Sequence, residues 1–171
     1  TYTGNICQRL DYDLLVAIAQ RFTDHVLLLI GPFANDNYKK AGLHTMDNVV
    51  LAGKKTIDEL PAYLHYSHCC IIPFLRIPLT RSIYPLKINE YLSAGKPVVT
   101  TNFSEDIATF ESVAAVCENQ QSFLDSIAQA MATDSAYKAA QRMAYAANNS
   151  WEKRASEMVD VINTYLAQHG R

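Results

Sequence analysis

Short runs of apolar residues alternate along the chain with segments in which apolar residues recur at helical spacing. Strands that are buried on both faces give runs of the first kind, and amphipathic helices give segments of the second kind. The apolar runs predict strands at residues 2–6, 25–30, 49–51, 69–74, 97–101 and 113–116. The alternation indicates successive βαβ units, so we expect an α/β, Rossmann-like three-layer domain around a parallel sheet of about six strands.

Residues that favour helix ends mark the boundaries of the helices between these strands. The predicted helices begin after Asp11 or Asp13, cover residues 57–66, run from near Pro85 to Gly95, cover residues 123–131, and cover about residues 150–168. The second of these rests on the capping-box spacing of Thr56 and Glu59, and the last on Ser150 as a cap. Asp106 and Asp134 also lie where helix starts are expected, which predicts capping roles for both.

Length and charge bound the possible functions. The 171 residues have the size of one domain, taken here as residues 1–171, and the net charge of -2 gives no global field for nucleic acid. No apolar run is long enough for a transmembrane segment. The four cysteines lack metal-binding spacing, which favours reduced core residues in a cytoplasmic protein. The chain starts without Met and enters strand-like sequence almost at once, which indicates a piece cut from a longer protein.

One connection has the composition of an anion site. Residues 60–89 contain no Asp or Glu, whereas Arg76, Arg81 and Lys87 fall within twelve positions. Residues 75–84 join a predicted strand to the next helix, and ligands of open parallel sheets bind at the carboxyl ends of the strands. The positive end of that helix adds to the local charge. These features predict a phosphate site.

Lys87 and Glu90 are three positions apart and so share one face of the predicted helix. Lys87 offers a point charge to a phosphate, and Glu90 can accept hydrogen bonds from a ribose diol. A diphosphate followed by a sugar satisfies both, although the spacing equally allows an exposed ion pair. No Asp-x-Asp pair or His/Cys constellation has metal-ligand spacing, so we expect neither metal nor cofactor. His65 and His68 are expected to pack and not to bind a ligand.

Residues 85–99, PLKINEYLSAGKPVV, resemble the donor-site motif of family 4 glycosyltransferases with the GT-B fold. In that motif a Glu early in a helix is followed by the small-residue turn Gly-x-Pro-Val-Val. Residues 3–11, residues 53–64 and the Ser-Trp-Glu-Lys-Arg start of the last helix are also similar to that family. The resemblance covers essentially the whole chain. It implies the C-terminal, donor-binding half of a GT-B enzyme, with the N-terminal acceptor domain absent.

The resemblance also implies roles for individual residues. Glu90 is expected to hold the donor ribose, and backbone near Lys54 and Lys55 to border the base. The diphosphate is expected to contact Gly4, Arg9, Pro85, Leu86 and Lys87, with Lys87 and Arg9 as the catalytic charges. Many family members have a second Glu where this chain has Ser82. Contacts to the transferred sugar are therefore expected from Thr80, Arg81 or Ser82.

The implied reaction is metal-independent, retaining hexosyl transfer from a UDP- or GDP-type sugar to a glycan or lipid-linked acceptor, in the synthesis of cell-surface polysaccharide. The acceptor would bind through the absent N-terminal domain, so we expect the isolated fragment to be inactive. The full-length enzyme is expected in the cytoplasm, where it can lie peripherally at the inner face of the membrane. Two alternatives stay open: a sugar-nucleotide 2-epimerase of the same fold, and a non-catalytic, flavodoxin-like nucleotide-binding or partner-binding module.

Overall fold

Six strands form the centre of the computed structural model, which describes residues 1–169. They are β1 (Tyr2–Thr3), β2 (Leu27–Ile30), β3 (Val49–Gly53), β4 (Cys70–Ile72), β5 (Val98–Thr101) and β6 (Ala115–Cys117). Two three-stranded sheets result, with the orders β1-β2-β3 and β4-β5-β6, and every pairing is parallel. All six strands lie at or beside the predicted positions. The first is shorter than predicted because the chain turns at Gly4, whose φ is 136°.

The two sheets meet at β1 and β4. The amino group of Thr1 donates to the Cys69 carbonyl at 2.8 Å, and the Ile71 N–H donates to the Thr1 carbonyl at 2.9 Å. The strand order across the molecule is therefore β3-β2-β1-β4-β5-β6, which is the order of a Rossmann fold. The direction of winding reverses between β1 and β4, and ligands of open α/β sheets bind at such a reversal. The predicted fold class is confirmed.

Eight α-helices connect and cover the strands over residues 1–169. They are α1 (Tyr12–Arg21), α2 (Asn37–Lys40), α3 (Leu60–His65), α4 (Pro78–Arg81), α5 (Leu86–Ser93), α6 (Gln120–Thr133), α7 (Ala136–Ala147) and α8 (Trp151–His169). Short 3-10 helices cover Leu43–Thr45 and Glu105–Phe110. None of the described helices combines the length and apolar character needed to cross a membrane.

Several predicted helix ends are confirmed. The Asp11 carboxylate accepts a hydrogen bond from the Leu14 N–H at 2.9 Å and so caps α1. The Ser150 hydroxyl accepts one from the Lys153 N–H at 3.2 Å at the start of α8. One prediction differs from the structure: the sequence placed Pro85 in the first turn of α5, whereas Pro85 is the N-cap of that helix.

The start of α3 was predicted three residues too early. The Glu59 carboxylate accepts hydrogen bonds from the N–H and the hydroxyl of Thr56, at 2.8 and 3.0 Å. These bonds close a turn ahead of the helix, and Pro61 then occupies one of its first two positions, where a missing N–H costs nothing.

The prediction that Asp134 and Asp106 cap helices is wrong. Asp134 follows the end of α6, and its carboxylate accepts a hydrogen bond at 2.6 Å from Arg142, whose buried guanidinium also donates to the Gly95 carbonyl. Asp106 lies inside the 3-10 helix Glu105–Phe110, whose N-cap position is Ser104.

The four cysteines are buried and unpaired, as the sequence predicts for core residues. Helix α6 packs against β5, β6 and α1, and α5 packs against α7, β4 and β5. The turns that follow β1 and β4 lie at the reversal of winding, and the space between these turns is called the crevice below.

Candidate functional site

A turn built on two glycines closes the carboxyl end of β1. Gly4 has a φ of 136°, a conformation that side-chain-bearing residues rarely adopt, and its N–H donates to the Ile30 carbonyl at 2.7 Å. A Cβ atom placed on Gly31, at the end of β2, would stand 1.9 Å from the Gly4 carbonyl oxygen. The turn can therefore lie against β2 only because position 31 has no side chain.

Lys87 occupies the space in front of Gly4. A Cβ atom placed on Gly4 would lie 2.2 Å from Lys87 Cε and 2.7 Å from its Nζ. The ammonium group at the start of α5 and the turn after β1 thus converge on one point. Burial lowers the pKa of Lys87, and the charge of Arg9 lowers it further, while the charge of Glu90 raises it.

Glu90 is exposed on the same helix, one turn beyond Lys87. The ion pairs found among residues 1–169 do not include Lys87 with Glu90. The exposed i,i+3 ion pair that the spacing allowed is therefore not formed. Lys87 contacts the β1 turn instead, and the Glu90 carboxylate stays open to solvent beside it.

Arg9 borders the same space from the turn between β1 and α1. Its Nε donates to the Cys7 sulfur at 3.3 Å, and its guanidinium lies 5.4 Å from the centre of the Phe74 ring. The half-buried side chain is held by these two contacts. Arg9 therefore lies close enough to Lys87 for its charge to lower the pKa of the lysine.

The connection from β4 to α5 is ordered by Thr80. This residue is completely buried: its hydroxyl donates to the Leu75 carbonyl at 2.5 Å and accepts from the Ile77 N–H at 3.0 Å. Its oxygen is used inside the loop, so the expectation that Thr80 contacts the sugar is wrong. Arg81 and Ser82 are exposed, as a ligand contact requires.

Lys54 and Lys55 follow β3, at the same edge of the sheet as Gly4. The Gly31 N–H donates to the Gly53 carbonyl at 2.8 Å and joins the ends of β2 and β3. Lys54 is exposed, whereas the Lys55 ammonium lies 3.7 Å from the Glu59 carboxylate. The Lys55 ammonium lies 5.5 Å from the centre of the Tyr63 ring, and the nearby Tyr63 and Glu59 raise the pKa of Lys55. Its side chain thus turns toward α3.

A separate cavity of about 490 Å³ lies at the opposite edge of the sheet, beside Thr1 and the amino ends of the strands. Aliphatic and aromatic side chains form most of its wall, and Phe22, Tyr63 and Tyr66 are among them. The lining residues include Asp24 but no Lys or Arg. This cavity therefore has the wrong chemistry for a phosphate, and the crevice at Gly4 is the better candidate.

The family described as glycosyl transferases group 1 matches residues 1–133, from β1 through α6. That span includes every residue of the crevice. The chain belongs to this family. The fold is that of the C-terminal domain of a GT-B glycosyltransferase, as the motif at residues 85–99 implied.

One curated relative of this chain is TuaH of Bacillus subtilis (strain 168), named as a teichuronic acid biosynthesis glycosyltransferase, which is 33% identical over 102 residues. The match covers 59% of this chain and 26% of TuaH. Among solved structures, AviGT4, a glycosyltransferase of avilamycin A biosynthesis, has a TM-score of 0.70 at 17% identity, with 99% of this chain and 51% of AviGT4 covered.

Anabaena HepE, solved with UDP and glucose, has a TM-score of 0.69 at 15% identity, with 95% of this chain and 47% of HepE covered. The chain thus spans about a quarter of its curated relative and about half of these two solved structures.

Three residues at this edge of the glycosyltransferase domain escaped the sequence analysis. Cys7 holds Arg9, and Glu118, after β6, pairs with Arg76 at 3.4 Å. Tyr91 reaches from α5 to β1 and donates and accepts hydrogen bonds at Thr3. A buried Tyr at helical spacing is indistinguishable in sequence from an ordinary core residue, and no pattern pairs positions so far apart in the chain.

Proposed function

We propose that this chain is the donor-binding domain of a glycosyltransferase that uses a nucleoside-diphosphate sugar of the UDP or GDP type. The observation that carries the proposal is the convergence of the Lys87 ammonium with the Gly4 turn at the β1–β4 reversal. A crevice with two cations, a glycine turn and a helix N-terminus suits two linked phosphates, because all of these groups favour negative charge.

In this proposal Lys87 and Arg9 contact the diphosphate and act in catalysis. Negative charge develops on the diphosphate as the glycosidic bond breaks, and cations that are already in place lower the barrier by stabilising that charge. The lowered pKa of Lys87 reflects an ammonium group that has lost much of its hydration, which strengthens its interaction with an anion. The backbone of Pro85 and Leu86, at the start of α5, contributes the positive end of the helix.

The remaining donor contacts follow from the positions of the side chains. The exposed carboxylate of Glu90, one turn from Lys87, is placed to accept hydrogen bonds from the ribose. The backbone at Lys54 and Lys55 borders the base, and Arg81 or Ser82 contacts the transferred sugar. Thr80 supports them indirectly, because its hydroxyl fixes the loop that presents both residues.

The wider reaction is proposed as metal-independent, retaining transfer of a hexose to a glycan or lipid-linked acceptor in cell-surface polysaccharide synthesis. The name of TuaH supports a cell-surface product, and the UDP and glucose bound to HepE support the donor class. The acceptor site is assigned to a second domain, so the 171 residues alone are expected to bind the donor without transferring sugar. A cytoplasmic site of action, peripheral to the inner face of the membrane, is part of the proposal; the buried, unpaired cysteines suit a reducing compartment.

Nucleotide binding by the isolated chain tests the proposal. A calorimetric panel of UDP, GDP, ADP and CDP, with and without EDTA, should identify at least one ligand whose affinity does not depend on metal. Lys87→Ala and Glu90→Ala should each weaken that ligand. Lys138→Ala is the matched control, because Lys138 lies beside Pro97 and Val98, at the amino end of β5. Absence of binding by every nucleotide, or equal weakening by the control, contradicts the proposal.

A further inference from the structure

The hydrogen bonds between β1 and β4 stop abruptly at the crevice. Thr1 forms both bonds expected of a parallel pairing, donating to Cys69 and accepting from Ile71. The next bonds in this register would run from the Thr3 N–H to the Ile71 carbonyl and from the N–H of residue 73 to the Thr3 carbonyl. Residue 73 is a buried proline, which has no N–H to donate. The bond from residue 73 to Thr3 therefore cannot form, and the Thr3 N–H bonds Tyr91 in place of the Ile71 carbonyl.

The Tyr91 hydroxyl takes the place of the missing rung. Its oxygen accepts from the Thr3 N–H at 2.8 Å and from the Thr3 hydroxyl at 3.1 Å, and its hydrogen points to the Thr3 carbonyl at 3.4 Å. Both backbone groups of Thr3 that face β4 are thus satisfied by one side chain. Tyr91 is completely buried, and burial raises its pKa, so it stays a neutral hydroxyl that both donates and accepts.

The same side chain fixes α5 on β1. Tyr91 is four residues after Lys87, so the two side chains leave the helix on the same face. Lys87 contacts Gly4, and Tyr91 contacts the preceding residue, Thr3. Two successive contacts of this kind set both the rotation of the helix and its height along the strand. The Lys87 ammonium is therefore held over the Gly4 turn by a bond that does not itself touch the crevice.

We propose that Tyr91 is a positioning residue for the diphosphate: its hydroxyl holds β1 and β4 apart where Pro73 ends their pairing, and it keeps the Gly4 turn and Lys87 in register. This inference rests on the proposed function, since it assumes that the crevice binds a nucleoside diphosphate. The inference predicts that loss of the Tyr91 hydroxyl weakens the contacts to the phosphates. The contacts to the base, in the turn after β3, are kept.

Binding of a nucleoside and of its diphosphate by the same variant separates these effects. Wild type is first tested with UDP, uridine, GDP and guanosine, and the pair that binds is used throughout. Tyr91→Phe should raise the Kd of the diphosphate about tenfold, as loss of a buried hydrogen bond predicts, and leave the Kd of the nucleoside within about twofold. Tyr145→Phe is the control, because it removes a hydroxyl that bonds the Thr109 carbonyl, outside the crevice.

Each outcome decides the proposal. Equal weakening of nucleoside and diphosphate by Tyr91→Phe would show a purely structural role, and unchanged diphosphate binding would show no role; both overturn it. If Tyr91→Phe does not fold, the Pro73→Ala variant is tested in its place. An N–H at position 73 allows the hydrogen bond to the Thr3 carbonyl to form, which draws β1 toward β4 and narrows the crevice. Wild-type binding of the diphosphate by Pro73→Ala then refutes the proposal. Failure of wild type to bind any diphosphate overturns the proposed function itself, and with it this inference.

Discussion

Replacing Gly4 with Ala tests the geometry of the crevice directly. Two separate effects are expected from the structure. The new residue must adopt a φ near 136°, which costs about 1–2 kcal/mol of stability for a residue with a side chain. Its Cβ would also lie 2.2 Å from Lys87 Cε, so the end of the lysine has to move by roughly 1.5 Å to reach an ordinary contact.

The displacement of Lys87 sets the expected loss of affinity. A hydrogen bond that involves a charged group contributes about 1.5–3 kcal/mol, which corresponds to a roughly 10- to 150-fold rise in the Kd of the diphosphate. The free energy of unfolding should fall only moderately, because the far end of a lysine side chain can swing away at little cost. Titration calorimetry with UDP or GDP measures the first quantity, and urea unfolding measures the second.

Gly42→Ala is a matched control for the backbone strain. Gly42 has a φ of 77°, and the nearest atom to a Cβ placed there is Thr45 Oγ1 at 3.9 Å. This variant should lose a similar amount of stability but bind the nucleotide as wild type does. The reasoning fails if Gly4→Ala binds the diphosphate normally, or if both variants lose affinity to the same extent.

Three further predictions concern neighbouring residues. Lys87→Met should weaken diphosphate binding, as Lys87→Ala does, yet raise the free energy of unfolding at neutral pH, because it removes a charge that burial disfavours. This gain in stability should shrink as the pH rises from the lowered pKa of Lys87 toward the ordinary lysine value, since the unfolded chain binds more protons in that window. Urea unfolding across pH checks it. Gly31→Ala should destabilise the chain by at least about 1–3 kcal/mol, because its Cβ overlaps the Gly4 carbonyl and a backbone must shift; thermal unfolding with Gly53→Ala as the uncrowded comparison tests this, and equal melting points would contradict it. Arg142→Met should cost about 1–3 kcal/mol, because it leaves the Gly95 carbonyl without its buried donor and removes the ion pair with the partly exposed Asp134. An unchanged urea midpoint would show that the bonds contribute little.

The sequence predicted the strands well for a physical reason. Strands covered on both faces must be apolar throughout, and such runs are short and conspicuous, as at Leu27–Ile30 and Val98–Thr101. Helix α7 was missed because it buries few of its side chains, and one of these, Arg142, is charged. Its apolar positions are mostly alanines, and no Leu, Ile or Val marks its buried face.

The site was predictable where it depended on the ends of strands. The convergence of Gly4 and Lys87 was expected from the family resemblance, and the strand order accounts for it, because the two residues follow β1 and β4 at the reversal. Thr80 was misplaced because the direction of its hydroxyl depends on the turn at Leu75, which no residue pattern encodes. Tyr91 was missed because its role depends on Pro73 and Thr3, and only the folded structure brings the three together.

The most direct test of the central claim uses the glycines as reporters. The chain has six glycines, so selective ¹⁵N-glycine labelling gives a spectrum simple enough to assign by substitution. Addition of UDP or GDP should shift the amide signals of Gly4 and Gly31 in a saturable way and leave those of Gly42 and Gly95 in place. Saturable binding that shifts Gly42 or Gly95 but leaves Gly4 and Gly31 unmoved would contradict a diphosphate site at the end of β1.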